Sequence, residues 1–380
     1  MIYFDYTATT PVDSDVLETY IKSTKNFFAN STSLHAMGQK SNHMVEVCTK
    51  SILDTLNIKN YKIIYTANAT EANNIAILGW CNKYLNDNKR YKIITTKIEH
   101  ASVFNTFKSL EDKFDVVYLD IKNDGKVDLD QLKREMNKDV LLVSIMWVNN
   151  IIGTIQDIKE IIDIVKGYPK AKLHVDAVQG LCKVEPDFDY NDIDMFTISG
   201  HKICGPKGIA GLIIKNNIVL SPILYGSSNQ YGLKPGTLDV ALISAFAKAI
   251  IKFYPLTKQN SEIVKEFFEY LVKGIENQTN IVINTPNFGI TYYILNISIP
   301  GIKGETLVHS LEEKGICVST GSACSSKLAK PEKTILALTN SIDRASSSIR
   351  ISLSPLVKRE EIDELLKALK EIKKWIMIEY

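Results

Sequence analysis

Paired cysteines, long apolar runs and basic leader segments are scarce in this chain of 380 residues. The six cysteines are Cys48, Cys81, Cys182, Cys204, Cys317 and Cys324. None lies in a Cys-x-x-Cys pair, which disfavours a zinc ribbon or a thioredoxin-like motif, and a chain of this size does not need disulfides. No apolar run is long enough to span a bilayer, and the first residues lack the features of a signal peptide. We therefore expect a cytoplasmic protein without a membrane segment.

Charge of one sign is also scarce. The 45 Lys and Arg residues nearly balance the 43 Asp and Glu residues, so the formal net charge is +2 at pH 7. This balance does not indicate a polyanion as partner, so we expect no direct nucleic-acid binding. The six histidines are scattered without paired ligand spacing, which disfavours a metal enzyme.

Short apolar runs alternate with helical patterns through the first 215 residues. These runs lie at 62–65, 93–96, 116–119, 141–146, 172–175, 195–198 and 209–214. The alternation predicts an α/β fold with a mostly parallel sheet and helices on both faces. It stops near residue 254. We therefore predict a large α/β domain over 12–254 and a smaller α+β domain formed by 1–11 together with 255–380.

A lysine follows one of these runs directly. Ser199-Gly200-His201-Lys202 comes after the run at 195–198 and leads into Gly205-Pro206-Lys207-Gly208. The carboxyl end of a buried strand is where open α/β folds bind ligands. A partly desolvated lysine amine shifts its pKa readily and suits a Schiff base, and Ser199 and His201 add donors beside it. On this segment alone, an ordinary lysine in a surface turn remains the alternative.

A carboxylate ends another of the predicted strands. His174-Val175-Asp176-Ala177-Val178-Gln179 lies about one β-α-β unit before Lys202. An Asp and a Lys at two strand ends fit a pyridoxal phosphate site. The carboxylate keeps the pyridine nitrogen protonated, so that the ring accepts electrons, while the lysine carries the aldehyde as an imine.

A cysteine in a small polar segment completes the set of motifs. Cys324 follows Gly321-Ser322-Ala323 and precedes Lys327 and Lys330. Nearby positive charge and mobility favour an accessible thiolate, although a flexible linker with an incidental cysteine is the alternative. Together with the Asp176 and Lys202 segments, this motif makes the chain resemble the class V aminotransferase family along nearly its whole length. Within that family it most closely resembles the cysteine desulfurases.

The resemblance implies a fold-type I transferase that depends on pyridoxal 5'-phosphate and acts on L-cysteine. It implies that Lys202 carries the cofactor and that His100 stacks on its ring and moves protons. Cys324 would attack the substrate sulfur, which leaves L-alanine and a persulfide on Cys324. The resemblance further implies transfer of that sulfur to an acceptor protein, such as an iron–sulfur scaffold or a tRNA-thiolation enzyme.

The same resemblance assigns further site residues. Those implied to bind the cofactor are Ala69, Thr70, His100, Asn150, Asp176, Gln179, Ser199, His201, Lys202 and Thr237. Ala69 and Thr70 open a helix whose free amides and dipole favour an anion, here the cofactor phosphate. Arg350, helped by Asn150, would clamp the α-carboxylate of the substrate. Thr237 would reach the phosphate of a neighbouring subunit, which implies a homodimer with a shared active site.

Several positions depart from the family pattern, among them Asn68, Ile151 and Lys234. Asn68 replaces a glycine, and because asparagine tolerates positive φ better than most residues we expect the turn to persist. Ile151 replaces a glutamate, and Lys234 replaces an arginine, which is not a neutral exchange at a bidentate contact. Two alternatives therefore stay open. One is another enzyme of the family, such as a selenocysteine lyase or a cysteine sulfinate desulfinase, and the other is a sulfur-transfer partner with impaired catalysis.

Overall fold

A computed structural model describes residues 1–276, 278, 280–321 and 331–376. The strands are β1 (Ile2–Tyr3), β2 (Tyr61–Thr66), β3 (Lys92–Thr96), β4 (Asp115–Leu119), β5 (Val140–Met146), β6 (Lys172–Asp176), β7 (Met195–Ser199), β8 (Ala210–Lys215), β9 (Val282–Ile283), β10 (Ile294–Ser298), β11 (Ile316–Cys317) and β12 (Ser348–Ser352). The helices are α1 (Ser14–Asn26), α2 (Ala36–Thr55), α3 (Ala69–Cys81), α4 (Ala101–Lys108), α5 (Leu129–Glu135), α6 (Ile158–Lys166), α7 (Val240–Phe253), α8 (Thr257–Glu276), α9 (Gly304–Glu312), α10 (Lys333–Thr339), α11 (Ile342–Ser346) and α12 (Arg359–Ile376).

A seven-stranded sheet forms the centre of the molecule. Its strand order is β2-β8-β7-β6-β5-β3-β4. The five strands from β7 to β4 are parallel, while β8 runs antiparallel to both of its neighbours. All seven predicted apolar runs are strands of this sheet. The prediction of an α/β fold with a mostly parallel sheet is therefore confirmed.

Helices cover both faces of this sheet, because neighbouring strand residues point to opposite sides. Ile63 packs in a core with α1, α2, α6 and α7, whereas the adjacent Ile64 packs in a second core with α3 and α4. Every residue of β5 is buried. This two-sided burial explains why the central strands have continuous apolar sequences rather than alternating ones.

A separate core gathers the two ends of the chain. It joins Phe4 to residues of α8, β10, α9, β12 and α12. Strand β10 pairs antiparallel with β9 and β12, and β1 pairs parallel with β11. This core supports the proposed division into 12–254 and 1–11 with 255–380, which remains a prediction.

Helix α8 buries an apolar stripe that does not follow a constant spacing of four residues. Such a spacing would bury Ile263, Phe267, Leu271 and Ile275. Leu271 and Ile275 are buried, but the other buried apolar positions are Val264 and Phe268, while Ile263 and Phe267 are only partly buried. A constant spacing of four drifts about 40° around the helix at each step, whereas the observed 4-3-4 spacing follows the 3.6-residue turn.

One helical stretch has the length and composition of a membrane span, which the sequence analysis did not anticipate. It covers Val240–Glu276, the range of α7 and α8 with a turn between them. Of its most apolar window, 56% is buried inside the protein. Helix α7 packs against α1 and α2, and Lys252 in its last turn bonds Asp13 at the start of α1. The apolar surface of α7 thus faces the core.

The contact between Gly180 and Trp147 yields a stability prediction. A Cβ atom at Gly180 would lie 2.1 Å from Cε3 of the buried Trp147 ring. We expect Gly180→Ala to lower the free energy of unfolding by about 1–3 kcal/mol, because the ring has to move. Gly167→Ala is the matched control, since its Cβ atom would lie 3.5 Å from its nearest neighbour, the carbonyl oxygen of Ile164. Denaturant unfolding measures both variants, and equal midpoints would contradict the expectation.

Candidate active site

The carboxyl ends of β6 and β7 bring the predicted Asp and Lys to one edge of the sheet. The two strands are parallel neighbours, with Asp176 opposite Thr197. Asp176 is the last residue of β6, and Lys202 ends a single 3-10 turn that follows β7. A cavity of about 220 Å³ opens at this edge and includes both residues in its wall.

Most of the predicted site residues line this cavity. They are Ala69, Thr70, His100, Asn150, Asp176, Gln179, His201, Lys202 and Arg350. Ser199 is buried at the end of β7 and is not part of the wall, and Thr237 is exposed in a loop away from it. Cys324 lies outside the described residues. Gly321, three residues before it, does line the cavity.

Lys202 is held as a buried amine by main-chain oxygens. Its Nζ donates hydrogen bonds to the carbonyl oxygens of Thr7 and Ala8, both at 2.7 Å. Burial, together with the nearby charge of Arg350, lowers its pKa from 10.5 to about 8. A lysine with this pKa has a substantial neutral fraction near neutral pH, and the neutral amine is the nucleophile.

The carboxylate of Asp176 is oriented by two donors. Its Oδ2 accepts from Nδ2 of Asn73 at 2.9 Å, and its Oδ1 accepts from the amide of Val178 at 3.1 Å. Asn73 is fully buried and also donates to Oγ of Ser102 at 2.9 Å. Asn73 was not predicted as a site residue. The sequence signal that could have identified it is its position one helical turn after Thr70, which places both residues on the same face of α3.

His100 faces the cavity from the start of α4. Its Nδ1 accepts the amide hydrogen of Ser102 at 3.2 Å and lies 2.8 Å from Oγ of the same residue. Burial lowers the pKa of His100, while the charge of Asp176 acts in the opposite direction. Because Nδ1 accepts the amide hydrogen, the neutral ring carries its proton on Nε2, where it can be exchanged with a group in the cavity.

The amino terminus of α3 closes another side of the cavity. Asn68 is the N-cap, and its Oδ1 accepts from the amide of Glu71 at 2.9 Å. Its φ is −163°, so Asn68 does not use the positive φ that asparagine tolerates, and its side chain caps the helix from an extended backbone. The amides of Ala69 and Thr70 have no intrahelical partner and remain for an anion. Lys234 Nζ lies 3.3 Å from Oε1 of Glu71.

Arg350 is the buried cation opposite α3. It is 3% exposed, and its Nη2 contacts Oδ1 of Asp5 at 2.9 Å. Its Nη1 donates to the carbonyl oxygen of Asn150 at 3.0 Å, and its Nε has no partner among the described residues. The backbone of Arg350 also bonds Ser319 in both directions, which ties β12 to the segment that leads to Gly321.

Ile151, which replaces the family glutamate, packs in an apolar cluster. It is 2% exposed and contacts a group formed by Ile152, Ile335 and Ala345. A Cβ atom at Gly321 would lie 3.5 Å from its Cδ1. The glutamate-to-isoleucine departure is therefore accommodated by packing against α10, which begins shortly after the segment of Cys324.

A buried carboxyl group beside His100 was not predicted. Oε1 of Glu99 accepts from Oγ1 of Thr96 at 2.9 Å and from the amide of Met146 at 3.0 Å. Burial raises its pKa to about 8, so the protonated form dominates at neutral pH. Lys333 at the start of α10 donates to the main-chain oxygen of Glu99. The contact between Glu99 and Met146 follows from the pairing of β3 with β5. A short sequence pattern does not show this pairing.

The central sheet with Lys202 and Asp176 at its carboxyl edge agrees with the family that the sequence matches. Residues 2–365 match the family described as aminotransferase class-V. The chain therefore belongs to the class V aminotransferase family.

Its relatives within the family are similar over nearly their full lengths. A protein of Lactobacillus delbrueckii subsp. bulgaricus named NifS/IcsS protein homolog is 38% identical over 98% of this chain and 97% of its own. Cysteine desulfurase IscS of Dictyoglomus turgidum is 34% identical over 98% of this chain and 94% of its own. A solved structure named NifS-like protein superposes with a TM-score of 0.91 at 31% identity, over 98% of this chain and 99% of its own.

The environment of Lys202 predicts its reactivity. Reductive methylation with formaldehyde needs a neutral amine, and raising the pH removes the proton. We expect methylation of Lys202 in the cofactor-free protein to reach half of its maximal rate near pH 8, because its pKa is lowered to about 8. Peptide mass spectrometry follows the reaction, with the exposed Lys22 in the same digest as reference. A common pH dependence for the two lysines would contradict this expectation.

Proposed function

We propose that this chain is a pyridoxal phosphate-dependent cysteine desulfurase that converts L-cysteine to L-alanine. The observation that carries the proposal is the single cavity that joins Lys202, Asp176 and Arg350 and reaches Gly321, just before Cys324. The names of the relatives point to the same activity, since they include cysteine desulfurases.

The donor set of the cavity fits pyridoxal phosphate. Asp176 offers a carboxylate for the pyridine nitrogen, and Lys202 offers an amine for the aldehyde. The amides of Ala69 and Thr70, which have no partner within α3, suit the phosphate. When bound, the cofactor supplies an electron sink for negative charge on the substrate carbon.

The remaining chemistry belongs to residues of this chain. Arg350 holds the α-carboxylate of cysteine, because its side chain lines the cavity. Lys202 or His100 moves the α-proton, because burial favours the neutral form of both side chains. The thiolate of Cys324 then attacks the substrate sulfur. The S–S bond forms as the C–S bond breaks, its electron pair stays on carbon, and protonation gives alanine.

We also propose a homodimer in which Thr237 completes the phosphate site of the partner subunit. Thr237 is exposed and does not line the cavity of its own chain. The same loop exposes Tyr225 and Tyr231, at 87% and 67%. Large exposed aromatic residues of this kind are typical of protein interfaces.

The persulfide sulfur then passes to an acceptor protein, such as an iron–sulfur scaffold or a tRNA-thiolation enzyme. The five cysteines that the structure describes are all free thiols. Free thiols are typical of proteins in a reducing compartment, so we propose a cytoplasmic location.

Alanine release from L-cysteine tests the proposal. We expect pyridoxal phosphate-loaded wild type to release alanine in the presence of a reductant that discharges the persulfide. We expect Cys324→Ser and Lys202→Ala to release none, because one lacks the nucleophile and the other the amine.

Other outcomes lead to the alternatives. Undiminished alanine from Cys324→Ser would remove the thiol from its role and favour a lyase, for which selenocysteine is the competing substrate to test. Bound cofactor without turnover in the wild type would favour the sulfur-transfer partner with impaired catalysis. Ile151 packs in an apolar cluster and Lys234 forms an ion pair with Glu71, so the fold accommodates both of these substituted residues.

A further inference from the structure

Lys183 is a buried lysine that the proposed reaction does not use. It is 6% exposed, and no carboxylate pairs with it among the residues that the structure describes. Burial lowers its pKa from 10.5 to about 7. The titratable and charged groups around it are Lys202, Arg350, His201, Cys182, Cys204 and Tyr293. A buried lysine without a carboxylate partner is costly, so its presence calls for a reason.

The hydrogen bonds of Lys183 lead to the cavity. Its Nζ donates to Oε1 of Gln179 at 2.7 Å, and Nε2 of Gln179 donates to the carbonyl oxygen of Thr7 at 3.1 Å. A carbonyl oxygen can only accept, which fixes Nε2 at Thr7, and the Lys183 amine donates to the remaining Oε1 in either protonation state. The two contacts therefore fix which end of the Gln179 amide faces which partner. Gln179 and Thr7 line the cavity, whereas Lys183 does not, so the Nε2 end of the amide, which contacts Thr7, lies on the cavity side.

The two constraints on Gln179 are not equivalent. The Thr7 carbonyl oxygen also accepts from Nζ of Lys202 at 2.7 Å, so Gln179 shares it with the reactive amine. The contact with Lys183 does not compete with Lys202. Lys183 is therefore the constraint that keeps the amide in one orientation whatever Lys202 contacts.

We propose that Lys183 is a positioning residue that holds Gln179 with its N–H group toward the cavity, ready to donate to the phenolic oxygen of the cofactor. This inference rests on the proposed function. Lys183 does not touch the substrate or the cofactor itself, and acts only through the orientation of Gln179. An amide turned the other way would place its oxygen against a negatively charged oxygen, which is repulsive.

The positioning has a consequence for proton binding at the loaded site. A donor to the phenolic oxygen stabilises its negative charge without help from a proton on the Lys202 nitrogen. The proton on that nitrogen is then held less tightly. The pH midpoint of the visible absorption of the bound cofactor should therefore be lower when Gln179 is correctly oriented.

A double-mutant cycle on the cofactor-loaded protein tests this inference. The four proteins are wild type, Lys183→Met, Gln179→Leu and the double variant. We expect Lys183→Met to raise the pH midpoint by roughly one unit in the wild-type background, an energy of about 1.4 kcal/mol. In the Gln179→Leu background the shift should be less than half as large. The loss of charge at Lys183 contributes to both backgrounds and cancels in the comparison.

The outcomes separate the inference from the proposed function. Equal shifts in the two backgrounds, or no shift in either, would overturn the positioning role even if the wild type is a desulfurase. Failure of the wild type to take up pyridoxal phosphate would instead overturn the proposed function, and the inference with it. If Lys183→Met does not load, Lys183→Gln replaces it in the cycle, and thermal unfolding of each variant verifies that the fold is retained.

Discussion

The rest of the site depends on the solvation of the Lys202 amine by main-chain carbonyl oxygens. Thr7 and Ala8 supply these oxygens from the beginning of the chain, about 195 residues away in sequence. Their segment is held by the packing of Phe4 in the core that it shares with β10, β12 and α12, and by the hydrogen bond between the Thr10 amide and the His201 carbonyl. The amine is bonded to carbonyl oxygens rather than to a carboxylate, and burial together with the charge of Arg350 lowers its pKa to about 8, where it can act as a base or nucleophile.

The site forms where the central sheet meets the core that contains Phe4 and β12. The central sheet contributes Asp176 and Lys202 at the ends of adjacent parallel strands, as expected for an open α/β fold. Strand β12 contributes Arg350, which bonds both Asp5 and the main chain of Asn150. Burial then has one common effect on the two proposed proton carriers, because it shifts the pKa of Lys202 and of His100 toward the neutral forms.

Local patterns were enough to predict the strands and the residues at their ends, because a buried parallel strand has a continuous apolar sequence. They were not enough for Asn73 and Glu99, whose contacts are with distant segments. Nor did they show that the Asn68 side chain caps α3 from an extended backbone. The role of Ile151 likewise becomes clear only from its packing against α10.

The most direct measurement of the central claim is the position of the cofactor on the chain. Borohydride reduction of the protein loaded with pyridoxal phosphate, followed by peptide mass spectrometry, locates the modified lysine. The account predicts one pyridoxyl group, on the peptide that contains Lys202. A pyridoxyl group on Lys183, Lys333 or another lysine instead of Lys202, or none at all, would contradict it.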